Sequence, residues 1–249
     1  MKIAVLCNDE AREGFFSEHG LSLLIDEETL FDTGTSDVAV INAEKMGVDL
    51  GKVKRVIISH GHYDHGGGLI KILERTGRID VYLHEKALLP KYSGSRFAGF
   101  PYEWRIAEKM ADVHLIKGDT EIDGFYVLNN VETQEEKIDR AFLVNGKHDL
   151  FEDELNLYTR GTLVTGCAHR GIDNILKAAE KGYEVRNVVG GFHLKDSSDE
   201  RIEEVIETLL NYNVRVFPMH CTGQRAMAIM KERFGEKCVL PKSGDVIEV

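Results

Sequence analysis

Between positions 54 and 68 a strand of interior type runs straight into a loop crowded with metal-ligand side chains. Val56, Ile57 and Ile58 form a short continuous apolar run, the pattern of a strand covered on both faces. Residues 54–59 are therefore expected to be such a strand. The chain continues Ser59-His60-Gly61-His62-Tyr63-Asp64-His65-Gly66-Gly67-Gly68, with three histidines and an aspartate inside six positions. His60 and His62 lie two apart, so in extended backbone their side chains point to the same side and can chelate one ion. Asp64 and His65 fall in a Gly-rich turn that can aim both at a neighbouring position, which permits a second ion. Imidazole nitrogen and carboxylate oxygen are donors that zinc, iron and manganese accept. The competing reading is a surface loop in which Asp64 caps the following helix; the density of ligand-type residues argues against it.

A chain of 249 residues that is 43% hydrophobic has ample material for a core, and one domain spanning 1–249 is expected. No run reaches the 18 or so apolar residues of a membrane span, and the N-terminal residues turn polar too early for a signal peptide. A cytoplasmic protein with no membrane association follows. Cys7, Cys167, Cys221 and Cys238 show no paired spacing, so reduced thiols are expected, with Cys167 and Cys221 as small buried fillers. The net charge of −11 disfavours a nucleic-acid partner and leaves a small molecule as the expected one.

Two strand-like runs, 21–25 and 29–31, flank the polar turn Asp26-Glu27-Glu28 and read as a hairpin. A helix begins at Ser36 or Asp37 and ends at Gly47. A helix follows Gly68, then a strand over 79–83. Residues 90–110, rich in aromatics and broken by Gly94, Gly99 and Pro101, suit a binding loop or lid, or a surface excursion packed on its own aromatics. Strands are expected at 125–128, 141–144 and 162–165. From Gly171 the pattern becomes helix 172–182, strand 185–189, helix 199–211, strand 214–217, helix 222–233 and short strands near Val239 and Val246. Helices outside mixed sheets in two similar halves imply a four-layer αββα sandwich of the α/β class.

Three later strands each run into a histidine: Leu163-Val164-Thr165-Gly166-Cys167-Ala168-His169, Val188-Val189-Gly190-Gly191-Phe192-His193, and Val216-Phe217-Pro218-Met219-His220. Together with the 60–65 loop they point to one shared sheet edge. Asp32, in Leu30-Phe31-Asp32-Thr33-Gly34, is suited to orient a ligating imidazole or a bound water.

These residues resemble the metallo-β-lactamase superfamily. His60-x-His62-x-Asp64-His65 matches its signature loop, Leu30-Phe31-Asp32-Thr33-Gly34 its early aspartate motif, and His169 and His220 its later ligands. The resemblance implies the αββα sandwich and a binuclear site, with His60, His62 and His169 on one metal and Asp64, His65 and His220 on the other. The ions implied are two divalent cations, zinc first, with iron or manganese as alternatives and the second site weaker. Where members usually place a bridging aspartate, this chain has Gly190-Gly191-Phe192-His193, so His193 ligates or faces substrate. The strings Glu18-His19-Gly20-Leu21-Ser22, Thr165-Gly166-Cys167-Ala168-His169-Arg170-Gly171 and His220-Cys221-Thr222-Gly223 are similar to a branch of metal-dependent hydrolases related to the archaeal dihydropterin-methyl-ribofuranosyl-aminobenzene 5′-phosphate synthase.

The resemblance implies a metal-dependent hydrolase that uses a metal-bound hydroxide on a small phosphorylated or cyclic substrate: a phosphoester, a lactone or a related ester. Asp64 and His193 are the catalytic candidates. His19, Lys147, Arg170 and His193 are candidate substrate contacts, with Lys195 a further possible anion anchor. The alternative is an iron-dependent redox enzyme acting on oxygen species or persulfides.

Overall fold

The computed structural model describes residues 1–249. Its backbone groups into two compact units, one of Met1–Lys117, Asp139–Leu155 and Lys242–Val249, the other of Gly118–Ile138 and Asn156–Pro241.

The first unit holds a seven-stranded sheet in the spatial order Val246–Glu248, Lys2–Cys7, Ser22–Ile25, Thr29–Phe31, Arg55–Ile57, Asp80–His84 and Asp112–Ile116. The first four strands pair antiparallel and include the expected hairpin, whose turn residues Asp26 and Glu27 are left-handed. From Thr29–Phe31 onward the pairing is parallel. Parallel neighbours need crossovers, and helices Val38–Met46, Leu69–Thr76 and Arg105–Met110 supply them. The first of these ends, as expected, at a left-handed Gly47 whose N–H reaches the Ala43 and Glu44 carbonyls. Ala39, Val40, Ala43, Leu69, Ile72, Leu73 and Ala107 on these helices pack against Leu6, Leu24, Leu30, Val56 and Val81 of the sheet. At about 25 cal/mol per Å2 of apolar surface, that contact face is a main source of this unit's stability.

A four-stranded sheet also belongs to the first unit, in the order Lys147–His148, Phe142–Val144, Lys91–Ser93, Arg96–Phe97. It absorbs much of residues 90–110. The remaining aromatics of that segment, Phe100, Tyr102 and Trp104, stack on one another and against the helical core. These aromatics thus pack on one another and on the core, so this part of the segment is not a separate surface excursion.

The second unit has a six-stranded sheet in the order Arg215–Met219, Asn187–Gly191, Thr162–Thr165, Asn156–Thr159, Phe125–Leu128, Thr120–Ile122. The first three strands are parallel and the rest antiparallel. Helices Ile172–Glu180, Asp199–Asn211 and Gln224–Phe234 bury Ile175, Leu176, Val205, Leu209 and Met230 against Leu163, Val188 and Val216. Near Val239 there is no strand, only an isolated bridge between Cys238 and Val216. No helix is long and apolar enough to cross a membrane.

Candidate metal centre

In the first unit the parallel strands end together, and Asp32 follows one of them in a left-handed conformation, φ 60°. An aspartate held in that sparsely populated region is strained, and its partners show what holds it. Its carboxylate accepts from the Ser59 N–H at 2.7 Å and the Ser59 hydroxyl at 2.7 Å, and lies 2.6 Å from His65 Nδ1. Asp32 and His65 are fully buried. The carboxylate thus accepts a hydrogen bond from His65 Nδ1–H and leaves Nε2 to face Asp64, whose Oδ2 lies 3.9 Å away. Asp64 and His65 sit in a short helix, Tyr63–Gly66, where a turn was expected. His62 just before it is extended, and its Nδ1 lies 3.0 Å from His60 Nε2. The same-side placement expected of this pair is therefore observed. Half-exposed His19 links Asp9, 2.9 Å from Nδ1, to Asp64, 3.3 Å from Nε2.

Four glycines make this loop fit. A Cβ at Gly61 would overlap the Ala87 carbonyl oxygen, at Gly66 the Phe100 ring, at Gly67 the carbonyl oxygens of Thr35 and Tyr63, and at Gly68 those of Thr33 and Ser36. From beneath, the Gly61 N–H donates to Asp153 at 2.8 Å, and Asp153 is ion-paired with Lys91 at 2.8 Å. Lys91 also meets Asp149 at 2.6 Å, and all three are buried. Burial alone would raise the Asp153 carboxyl, but the Lys91 charge and the Gly61 hydrogen bond bring it below its ordinary value. Phe142 stacks on the His62 ring at 5.1 Å and Phe151 meets it edge-on. Burial, first of all, lowers His62 to about 3 and drives His60 well below its ordinary value. Both are therefore neutral imidazoles, the form that offers a lone pair to a cation.

The second unit gathers its own donors. Its three parallel strands pair Thr165 with Gly190 and Gly191 with Met219, so His169, His193 and His220 emerge at one edge of this sheet, as expected from their strand-end positions; the 60–65 loop, expected at the same sheet edge, instead follows a strand of the seven-stranded sheet. Ala168, His193 and His220 are all left-handed, with φ of 55°, 48° and 50°. Buried His169 and half-buried His193 have ring centroids 4.2 Å apart. One ligand atom from each of Cys167, His169 and His193 lies within 4.8 Å of the others, and the same holds for Cys167, His220 and Cys221. Both thiols are buried, as expected for fillers, yet they stand among the imidazoles. Their signal in the sequence is adjacency: Cys167 two residues before His169, Cys221 next to His220. Gly191 leaves room for them, since a Cβ there would come within 2.7 Å of Cys221 Sγ. None of these donors is a carboxylate, and Asp196 beyond them is exposed.

The other basic side chains have the following surroundings. Arg170 donates to the carbonyls of Asn129 and Val131, which commits its guanidinium to fastening that loop. Lys147 is an exposed residue of the small sheet, and Lys195 is exposed. His84 accepts the Lys86 N–H and caps a short helix.

Each unit by itself offers donors suited to a borderline divalent ion, buried imidazoles with a carboxylate in the first and imidazoles with thiols in the second, so the residues fit a metal. Comparison with known proteins agrees. The family model for the metallo-beta-lactamase superfamily matches residues 19–152. The uncharacterized protein MJ0448 of Methanocaldococcus jannaschii is 32% identical, over 92% of this chain and 94% of its own. From the same organism, 7,8-dihydropterin-6-methyl-4-(beta-D-ribofuranosyl)-aminobenzene-5'-phosphate synthase is 30% identical, over 100% of this chain and 96% of its own. Among solved structures, Tm1679, a metal-dependent hydrolase of the beta-lactamase superfamily, superposes with a TM-score of 0.91 at 42% identity, covering 100% of this chain and 99% of that one.

Proposed function

The chain belongs to the metallo-beta-lactamase superfamily and has its fold, the α/β class expected from the sequence, and from that premise we propose that it is a metal-dependent hydrolase of a small phosphorylated or cyclic ester. The observation that carries this reading is the buried group His60, His62, Asp64 and His65 with Asp32 behind it. The family likeness supports pairing His60, His62 and His169 on one ion and Asp64, His65 and His220 on the other, zinc first. Bound divalent ions supply a water acidic enough to ionise near neutral pH and polarise a phosphoryl or acyl oxygen.

The protein's own groups do the rest. Asp32 holds the His65 tautomer by accepting the hydrogen bond from its Nδ1–H. Asp64 accepts a proton from the attacking water, and His19, lying between Asp64 and Asp9, passes it toward solvent. Half-buried His193 donates to the oxyanion or leaving group. A phosphorylated substrate is supported by the printed name of the 5'-phosphate synthase, and the net charge of −11 favours a small molecule over nucleic acid. Four cysteines with no disulfide among them suit a cytoplasmic setting.

The test is a panel of phosphomonoesters, phosphodiesters, lactones and thioesters, run on protein of measured metal content. Turnover of one class that disappears on chelation and returns with zinc is expected. No turnover at full metal occupancy would overturn the reading, and iron with a visible absorption band would turn it toward redox chemistry.

A further inference from the structure

The second unit's two donor sets, Cys167 with His169 and His193, and Cys167 with His220 and Cys221, have one residue in common. Cys167 is thus the central donor of its sheet edge. We propose that the Cys167 thiolate is itself a metal ligand, joining His169 on that histidine's ion in the metal-dependent reading given above, with His193 beside them.

Three features of the local backbone serve this placement. Ala168 adopts the left-handed conformation, φ 55°, which for an L-residue costs about 1–2 kcal/mol. Across this left-handed residue the sulfur and the imidazole come to within 4.8 Å of each other and of His193. His193, also left-handed, completes the set from the neighbouring strand end. Gly191 then holds open the space that Cys167 and Cys221 occupy: its absent Cβ would lie 2.7 Å from Cys221 Sγ and 3.4 Å from the Cys167 backbone.

Charge gives the chemical reason. The donors grouped with Cys167 are imidazoles and a second thiol, with no carboxylate among them. A divalent ion held by neutral imidazoles alone keeps its full charge in a buried setting, which is costly. A thiolate neutralises half of it and binds zinc at about 2.3 Å. Binding therefore releases the thiol proton to solvent as the sulfur–metal bond forms, with no change of oxidation state. Cys221 Sγ lies beside this ligand, 3.5 Å from the Cys167 carbonyl oxygen.

The full chain, stripped with chelator and reloaded with cobalt(II), tests this by absorption. Wild type is expected to bind cobalt with a thiolate-to-cobalt charge-transfer band in the near ultraviolet. Cys167→Ser should lose the band and bind cobalt at least tenfold more weakly, while Cys221→Ser keeps the band. Cobalt bound by wild type without the band, or a band that survives in Cys167→Ser, would overturn the assignment and leave the metal-dependent reading standing. Wild type that binds no cobalt or zinc would overturn both. Zinc-edge X-ray absorption of wild type needs no variant: a sulfur shell at about 2.3 Å is expected, and nitrogen and oxygen neighbours alone would refute the ligand.

Discussion

The two units assemble ligand-type side chains by opposite means. In the first, His60, His62, Asp64 and His65 come from one loop, pinned by glycines that admit no Cβ, by Asp153 under Gly61 and by Asp32 behind His65. In the second, Cys167, His169, His193 and His220 come from three separate strand ends, and each turn is forced by a left-handed residue, Ala168, His193 or His220. The first edge relies on satisfied polar partners that hold a single left-handed residue, Asp32, and the second on three left-handed residues. Preorganisation can thus be built from buried hydrogen bonds or from unfavourable dihedrals held by a well-packed parallel sheet.

The largest test of the first arrangement is His62→Ala. Activity should fall to background and metal content should drop, with the circular dichroism spectrum unchanged; full activity would break the assignment of this loop. Next is Lys91→Met, which leaves Asp149 and Asp153 as buried carboxylates without their cation. Removing one partner of such a pair costs about 3–5 kcal/mol, read as a loss in denaturant midpoint. The pH dependence has a defined sign. With its folded pKa depressed, Asp153 stabilises wild type above the unfolded value of about 3.9 and that stabilisation fades as pH falls through the folded value. In Lys91→Met the same carboxyls gain by protonation, so the gap between the two proteins should narrow toward pH 4; a constant gap would show that the pair does not govern the loop.

Asp32→Asn is expected to lower metal affinity about 10–100-fold by freeing His65 to rotate or to take the other tautomer, measured by competition with a chelating dye. The smallest effect belongs to the strained edge. Ala168→Gly relieves a left-handed alanine at the expense of unfolded-chain entropy, a net gain of roughly 0.5–1 kcal/mol. A raised melting temperature would support strain as the organiser there, and a lowered one would show that the Ala168 methyl packs better than its backbone conformation suggests.

Much of this was written in local sequence. The 60–65 loop announces itself by density. The three strand-end histidines are legible because apolar β-branched runs precede them, and the parallel register then brings them to one edge. Helix Asp199–Asn211 follows from Ser198, which caps it, and from the spacing of Ile202, Val205, Ile206 and Leu209. The strand Asn156–Thr159 was missed because Asn156 and Thr159 are polar at its ends although both are buried. Lys91 was hidden for a different reason. Its partners stand 58 and 62 residues away, and nothing local distinguishes a buried lysine from a surface one. Cys167 and Cys221 look like fillers in the sequence because a buried filler and a ligand call for the same residue, and their position among the imidazoles appears only in the fold.

The discontinuous make-up of the first unit bears on how such a protein can be inherited. Its ligand loop comes from Met1–Lys117, but the carboxylate under Gly61 and the ring stacked on His62 come from Asp139–Leu155, and an edge strand of its sheet comes from Lys242–Val249. A gene cut after position 117 would encode the metal-binding motif without the residues that hold it in shape. Recombination within this chain should therefore succeed only where whole surface loops are exchanged, and neither half of the coding sequence can travel alone.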